Sequence, residues 1–234
     1  MSLSGAATME PGALKTRFAV AALVGLLAGL LLTLFQQLQV EPLLLQAEQY
    51  EQAAEHSAAP ADHTHEQGGW QPQEGWQRTL FTAAANSVVG FGFTLVLGAL
   101  VTLRNRKLTW RSGLLWGLGG YAALFVAPAL GLPPELPGTE SAELMARQLW
   151  WLGTVIATVG GLWLILLTAR PLLKAAGLLL LIAPHMLGAP QPEFHTSSAP
   201  AELAQAFVVA TAVANGLFWL SLGALYGHLH KWVE

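Results

Sequence analysis

Breaking the chain wherever Asp, Glu, Lys or Arg occurs, and the last stretch also at His228, leaves six long uncharged stretches, at 18–40, 79–103, 112–134, 148–169, 175–192 and 203–227. They run from 18 to 25 residues, and about 20 apolar residues suffice to cross about 30 Å of hydrocarbon. The pattern predicts an all-α polytopic membrane protein with six transmembrane helices, at about 18–40, 79–103, 112–132, 148–169, 175–190 and 203–227. The fifth is marginal in length. A segment 1–17 precedes the first span, a loop 41–78 rich in His and acids follows it, and a tail 228–234 closes the chain.

Composition agrees. Of the 234 residues 53% are hydrophobic and 11% charged, where a soluble domain carries about 25% charged residues. That excludes a soluble enzyme, a nucleic-acid-binding domain and a disordered tail. Cysteine is absent, so no disulfide framework, thiolate zinc site or cysteine nucleophile exists.

The net charge of −3 conceals a sorting by loop. Lys15, Arg17, Arg104, Arg106, Lys107, Arg111, Arg170, Lys174 and Lys231 fall on one side of an alternating six-span chain, and only Arg78 and Arg147 on the other. Twelve of the fourteen acids share the side of Arg78 and Arg147, Glu10 and Glu234 being the exceptions. Loops rich in Lys and Arg stay cytoplasmic, so both termini are expected inside and the acidic loops outside. The first apolar run is too long for a secretory leader and reads as an uncleaved helix.

The third and fifth spans end alike, in Ala127-Pro128-Ala129-Leu130-Gly131-Leu132-Pro133-Pro134-Glu135 and Ala183-Pro184-His185-Met186-Leu187-Gly188-Ala189-Pro190-Gln191-Pro192-Glu193. The first ends more loosely in Val40-Glu41-Pro42, and Ala142-Glu143-Leu144 and Ala201-Glu202-Leu203 open the fourth and sixth. This suggests three parallel two-helix hairpins about a pseudo-symmetry axis along the membrane normal. Pro128 and Pro184 remove backbone donors and are expected to break their helices. Gly25-x-x-x-Gly29 and Gly113-x-x-x-Gly117 offer close helix packing.

Metal-ligating residues are the leading chemistry. The outer loop holds His56, Asp62, His63, His65 and Glu66, imidazole and carboxylate groups that suit cobalt, nickel or zinc. The same loop reads alternatively as a solvated linker. His185, beside Met186 and followed by Glu193 and His195, lies just past a proline in an uncharged span, and ionisable groups at membrane depth are functional candidates. The alternative is a histidine hydrogen-bonding a carbonyl near Pro184. Glu41 and Glu135, with Glu193, correspond if the three hairpins do, and would make a negative outer mouth. Gln36, Gln37, Asn86, Gln148, Met186 and Asn215 are candidates to line a path below it. None of the four lysines follows glycine, and neither Gly-x-Ser-x-Gly nor His-Glu-x-x-His occurs. The commonest nucleotide-binding, serine-hydrolase and zinc-protease signatures are therefore missing.

Taken in order, these motifs resemble the CbtA family: Gln36-Gln37-Leu38-Gln39-Val40-Glu41-Pro42 with Ala47-Glu48-x-Tyr50-Glu51, the His/Glu-rich loop, the Pro128 to Gly138 run, Arg147-Gln148-Leu149-Trp150-Trp151, and the Pro184 to Glu193 run. The resemblance covers nearly the whole chain after about residue 14. It implies the membrane subunit of a bacterial cobalt transporter tied to cobalamin metabolism, in the inner membrane, working with a small single-span, His-bearing CbtB-like subunit. It implies no catalytic residue and no prosthetic group, with cobalt or nickel as cargo, and it does not say which residues touch the metal. The expected partners are the bilayer, the CbtB-like subunit and further copies of the chain, with no nucleic acid. The leading reading is uptake of a divalent transition metal without an ATPase of its own. Its rivals are a non-transporting scaffold or metal sensor with a metal-binding outer loop, and an intramembrane enzyme using Ser87 or Ser221 with His185.

Overall fold

A computed structural model describes residues 11–57, 72–73, 75–104, 108–194 and 196–232. They are almost wholly helical. α1 (Pro11–Phe35) passes through a π-helical turn (Gln36–Val40) into α2 (Glu41–Ser57). α3 (Trp76–Arg104) returns. α4 (Trp110–Tyr121) passes through a second π-turn (Ala122–Val126) into the short α5 (Ala127–Ala129), and α6 (Leu144–Leu167), α7 (Pro171–Leu187) and α8 (Ala201–Leu229) complete the set. Five helical segments are long and apolar enough to cross a membrane, and α7 is a shorter apolar helix of 17 residues. The chain is an all-α polytopic membrane protein. The antiparallel run of the helices collects the basic loops at one end, the basic end, and the acidic loops at the other, the acidic end.

Local chemistry fixes the boundaries. Thr109 and Ser112 form a reciprocal capping box at the start of α4, which satisfies two orphan backbone donors. The Glu143 carboxylate accepts from the backbone N–H groups of Met145 (3.0 Å) and Ala146 (2.8 Å) and starts α6. Pro171 stands in the first turn of α7, where its missing N–H costs nothing. Gly188, at φ 82°, ends it.

The first span departs from expectation at its acidic end. Glu41 was expected to end the helix, yet 14–54 form one 41-residue helical segment, about 60 Å at 1.5 Å per residue. A charge ends an apolar run without ending a helix, and Leu43-Leu44-Leu45-Gln46-Ala47-Glu48-Gln49 are good helix formers. The expected 41–78 loop is therefore helical from Glu41 to Ser57.

Both π-turns end two residues before a proline, Pro42 and Pro128. In an α-helix a proline clashes with the carbonyl four residues back, here Leu38 and Leu124, and each lies within a π-turn. Widening that turn lets the helix run through, so the helices end after Pro128 and Pro184 rather than at them. α7 continues three residues past Pro184.

α8 is the central helix. Its Ala214, Phe218, Trp219, Leu222, Tyr226 and Leu229 bury against Val20, Val24, Ala28 and Leu32 of α1 and Leu97 and Val101 of α3. Three helix pairs approach backbone to backbone. Gly25 and Gly29 of α1 lie on the main chain of Asn86 to Phe91 in α3, Gly113 and Gly117 of α4 on Trp219 and Gly223 of α8, and Gly161 of α6 on Gly177 of α7. Both glycine motifs seen in the sequence are thus helix contacts, at which a side chain would meet backbone atoms.

The pairing does not support the expected hairpins. Span three packs along span six, and span four along span five, so of the three expected pairs only the first is a packed pair. Nor are the two Ala-Glu-Leu motifs equivalent: Glu143 caps α6, whereas Glu202 lies within the first turn of α8 and Pro200 precedes that helix.

Candidate metal path and acidic mouth

At the acidic end the loops 130–143 and 188–200 join. Thr139 and Ser197 form an antiparallel bridge, Glu140 N–H donates to the Thr196 carbonyl (3.0 Å), and Ser198 N–H donates to the Gly138 carbonyl (3.2 Å). Leu136 and Ala199 from these loops bury with Ala47 of α2 and Phe207 of α8. This small second core holds α2 against the bundle.

Two of the three carboxylates expected at the mouth, Glu41 and Glu135, are in ion pairs. Arg78, at the start of α3, lies 4.0 Å from Glu41 Oε1 and 3.4 Å from Glu48 Oε1. Arg147, in the first turn of α6, lies 3.1 Å from Glu135 Oε2, which also accepts from the Ser141 hydroxyl at 2.5 Å. The two basic residues that the sequence leaves at the acidic end therefore each take one of the expected carboxylates. Glu41 keeps a buried oxygen, Oε2, with no hydrogen-bond partner among the described residues. Glu193 is exposed.

The amides separate into those that meet and those that do not. Asn86 of α3 donates to Gln36 Oε1 (2.6 Å) and to Thr33 Oγ1 (3.0 Å), a polar knot between α1 and α3 at the first π-turn. Gln37 is half-buried beside it. Asn215 donates within its own helix to the Thr211 carbonyl (3.0 Å). Gln148 is exposed in a groove described below, and Met186 is 80% exposed.

His185 is half-buried, and its ring meets Trp150 edge-on at 6.0 Å. The Trp150 indole N–H donates to the Pro184 carbonyl (3.3 Å), which also accepts from Gly188 N–H (3.1 Å). The hydrogen bond expected of His185 near Pro184 is thus made by Trp150, a role the sequence did not mark. His56 falls in the last turn of α2. Asp62, His63, His65, Glu66 and His195 lie outside the described residues. Among the described residues no three His, Asp or Glu side chains gather as a metal-holding group.

Two lateral grooves of about 670 and 680 Å³ open near the acidic end. They are built alike. Leu38, Gln39, Pro42 and Leu43 wall the first, and Leu124, Phe125, Pro128 and Ala129, each 86 positions later, wall the second. Opposite them stand Glu202, Gln205, Ala206, Val209 and Ala210 of α8 in the first groove. Leu144, Arg147, Gln148, Trp151 and Leu152 of α6, each 58 positions earlier, stand in the second. A π-turn followed by proline thus makes the same indentation twice, against α8 and against α6. Only the second holds an ion pair, Glu135 with Arg147.

The family model described as "Probable cobalt transporter subunit (CbtA)" matches residues 15–231, which takes in every membrane-crossing helix and both grooves. The chain belongs to the CbtA family. No curated protein and no solved structure is similar enough to match it. This CbtA-family chain is the membrane subunit of a probable cobalt transporter, a transporter component rather than an enzyme.

Proposed function

We propose that this CbtA-family subunit takes up Co²⁺, from the acidic end to the basic end, across a bacterial inner membrane. The match over residues 15–231 carries the reading. The charge sorting supports its direction, since Lys- and Arg-rich loops stay cytoplasmic. In this orientation both termini and the segments 1–17 and 228–234 are inside, 41–78 is outside, and α7 is the fifth of six crossings within the 18–227 membrane domain. Its 17 residues meet the lower limit for a span.

The acidic end concentrates cations by its field. His56, Asp62, His63, His65 and Glu66 collect metal, Glu41, Glu135 and Glu193 form the mouth, and His185 and His195 are ligands beyond it. The Asn86 and Gln36 pair lines the way inward, and Gln37, Gln148, Met186 and Asn215 are the remaining path candidates. Nickel is the alternative cargo. An inside-negative potential supplies about 2.3 kcal/mol per charge per 100 mV, about twice that for a divalent ion, so no ATPase within this chain is required. A CbtB-like single-span subunit and further copies of the chain are the proposed partners.

Radiolabelled Co²⁺ uptake into oriented proteoliposomes with an imposed potential tests the reading, with and without the small subunit. Saturable uptake lost in His185→Ala supports it. Metal binding without potential-driven uptake in either preparation would replace it with the scaffold or sensor reading.

A further inference from the structure

The helix pairs are not equally well attached. α1, α3, α4 and α8 share one buried core along their length. The α6–α7 pair, by contrast, packs on the other named helices mainly through the second π-turn and α5, at the acidic end. Its two helices bury Thr154, Val155, Thr158, Gly161, Gly177 and Pro184, largely in their mutual seam. Toward the basic end Leu166 and Leu172 are exposed.

The joint is the second groove. There Glu135, on the loop after α5, is held by Arg147 of α6 at 3.1 Å, and the Trp150 ring of α6 lies against Gly131. The matching joint of the first groove needs no such pair, because α1 and α8 continue into the shared apolar core. Its residue at the Arg147 position is Gln205. Both indentations have apolar walls, and the second adds a charge pair to them.

We propose that Arg147 is a tethered cation which a divalent ion displaces from Glu135, and that this displacement frees the α6–α7 pair to swing about its acidic-end joint. The inference rests on the reading of Glu135 as a mouth carboxylate. Two cations cannot both be neutralised by one carboxylate, so metal at Glu135 repels the guanidinium 3.1 Å away. Both side chains keep about 30% exposure, 31% for Arg147 and 27% for Glu135, so an ion reaches them from the acidic end. An ion pair this exposed is weak, which suits a contact that must exchange. Arg147 acts here as a positioning residue, and the ligand is the divalent ion.

Distances between nitroxide labels in nanodiscs test this, and the cysteine-free chain accepts labels without a background. Leu115→Cys on α4 and Leu166→Cys on α6 are exposed positions, one on each helix set. Without metal, Arg147→Gln and Glu135→Gln should each raise the separated population about fivefold, and the reversed pair Glu135→Arg with Arg147→Glu should restore the original distribution. Diamagnetic Zn²⁺ added to the intact chain should reproduce the effect of Arg147→Gln and add nothing to Glu135→Gln. Unmoved distances in the single variants, a reversed pair that stays separated, or an intact chain that ignores Zn²⁺ would each overturn the proposal. Because the distances need no transport, a metal-driven swing without Co²⁺ uptake would sink the uptake reading alone, and uptake without a swing would sink the latch alone.

Discussion

Asn86 joins two helices through Gln36 and Thr33 in a region where water is scarce, and interhelical hydrogen bonds there are worth about 0.6 kcal/mol each on average. Asn86→Leu should therefore cost about 1 kcal/mol of unfolding free energy in mixed micelles and, if the amides line the path, reduce Co²⁺ uptake more than that loss explains. Uptake that merely follows the folded fraction would make the knot structural. Trp150→Phe keeps the ring beside His185 and removes the indole donor to the Pro184 carbonyl, with an expected loss of about 1 kcal/mol. A stability equal to the parent would show that Gly188 N–H satisfies that carbonyl alone. At this scale the sequence exposed the right residue types but not their partners. Arg78 and Arg147 were visible as the two basic residues among acids. That they neutralise Glu41 and Glu135 depends on where α3 and α6 begin in space.

Among the helices, the glycines decide which faces meet. Gly117 faces Trp219 and Gly223 of α8, while Gly92 of α3 has open space around it. Gly117→Val should destabilise by about 1–3 kcal/mol through overpacking. Gly92→Ala should be neutral or stabilise by up to about 1 kcal/mol from helix propensity. Denaturation of both variants in one detergent compares them directly, and equal effects would show that the α4–α8 contact is loose. The glycine spacing could be read from the sequence because it marks one helix face. The partner helix could not: Gly113-x-x-x-Gly117 fits any smooth surface, and the chain brings it to α8 rather than to the neighbouring α6. The π-turns were also hidden, since a proline is expected to end a helix and here the preceding turn widens instead.

For the whole molecule the first question is orientation. Single cysteines at Glu140 and Trp232 should label oppositely, Glu140→Cys with an impermeant maleimide in intact cells and Trp232→Cys only after permeabilisation. The reverse labelling would invert the proposed direction of transport.

Membrane class, the all-helical fold, the sorting of charge and the family were all legible in the sequence, because each depends on local composition or on residues in chain order. An apolar run long enough to cross lipid is recognisable wherever its neighbours lie. The pairing of span three with six and of four with five, the twin grooves and the ion pairs of Glu41 and Glu135 were decided only by the tertiary structure. They require residues dozens of positions apart to meet, and in a membrane the apolar surfaces that bring them together look alike, so close backbone approach and a few polar contacts choose among them.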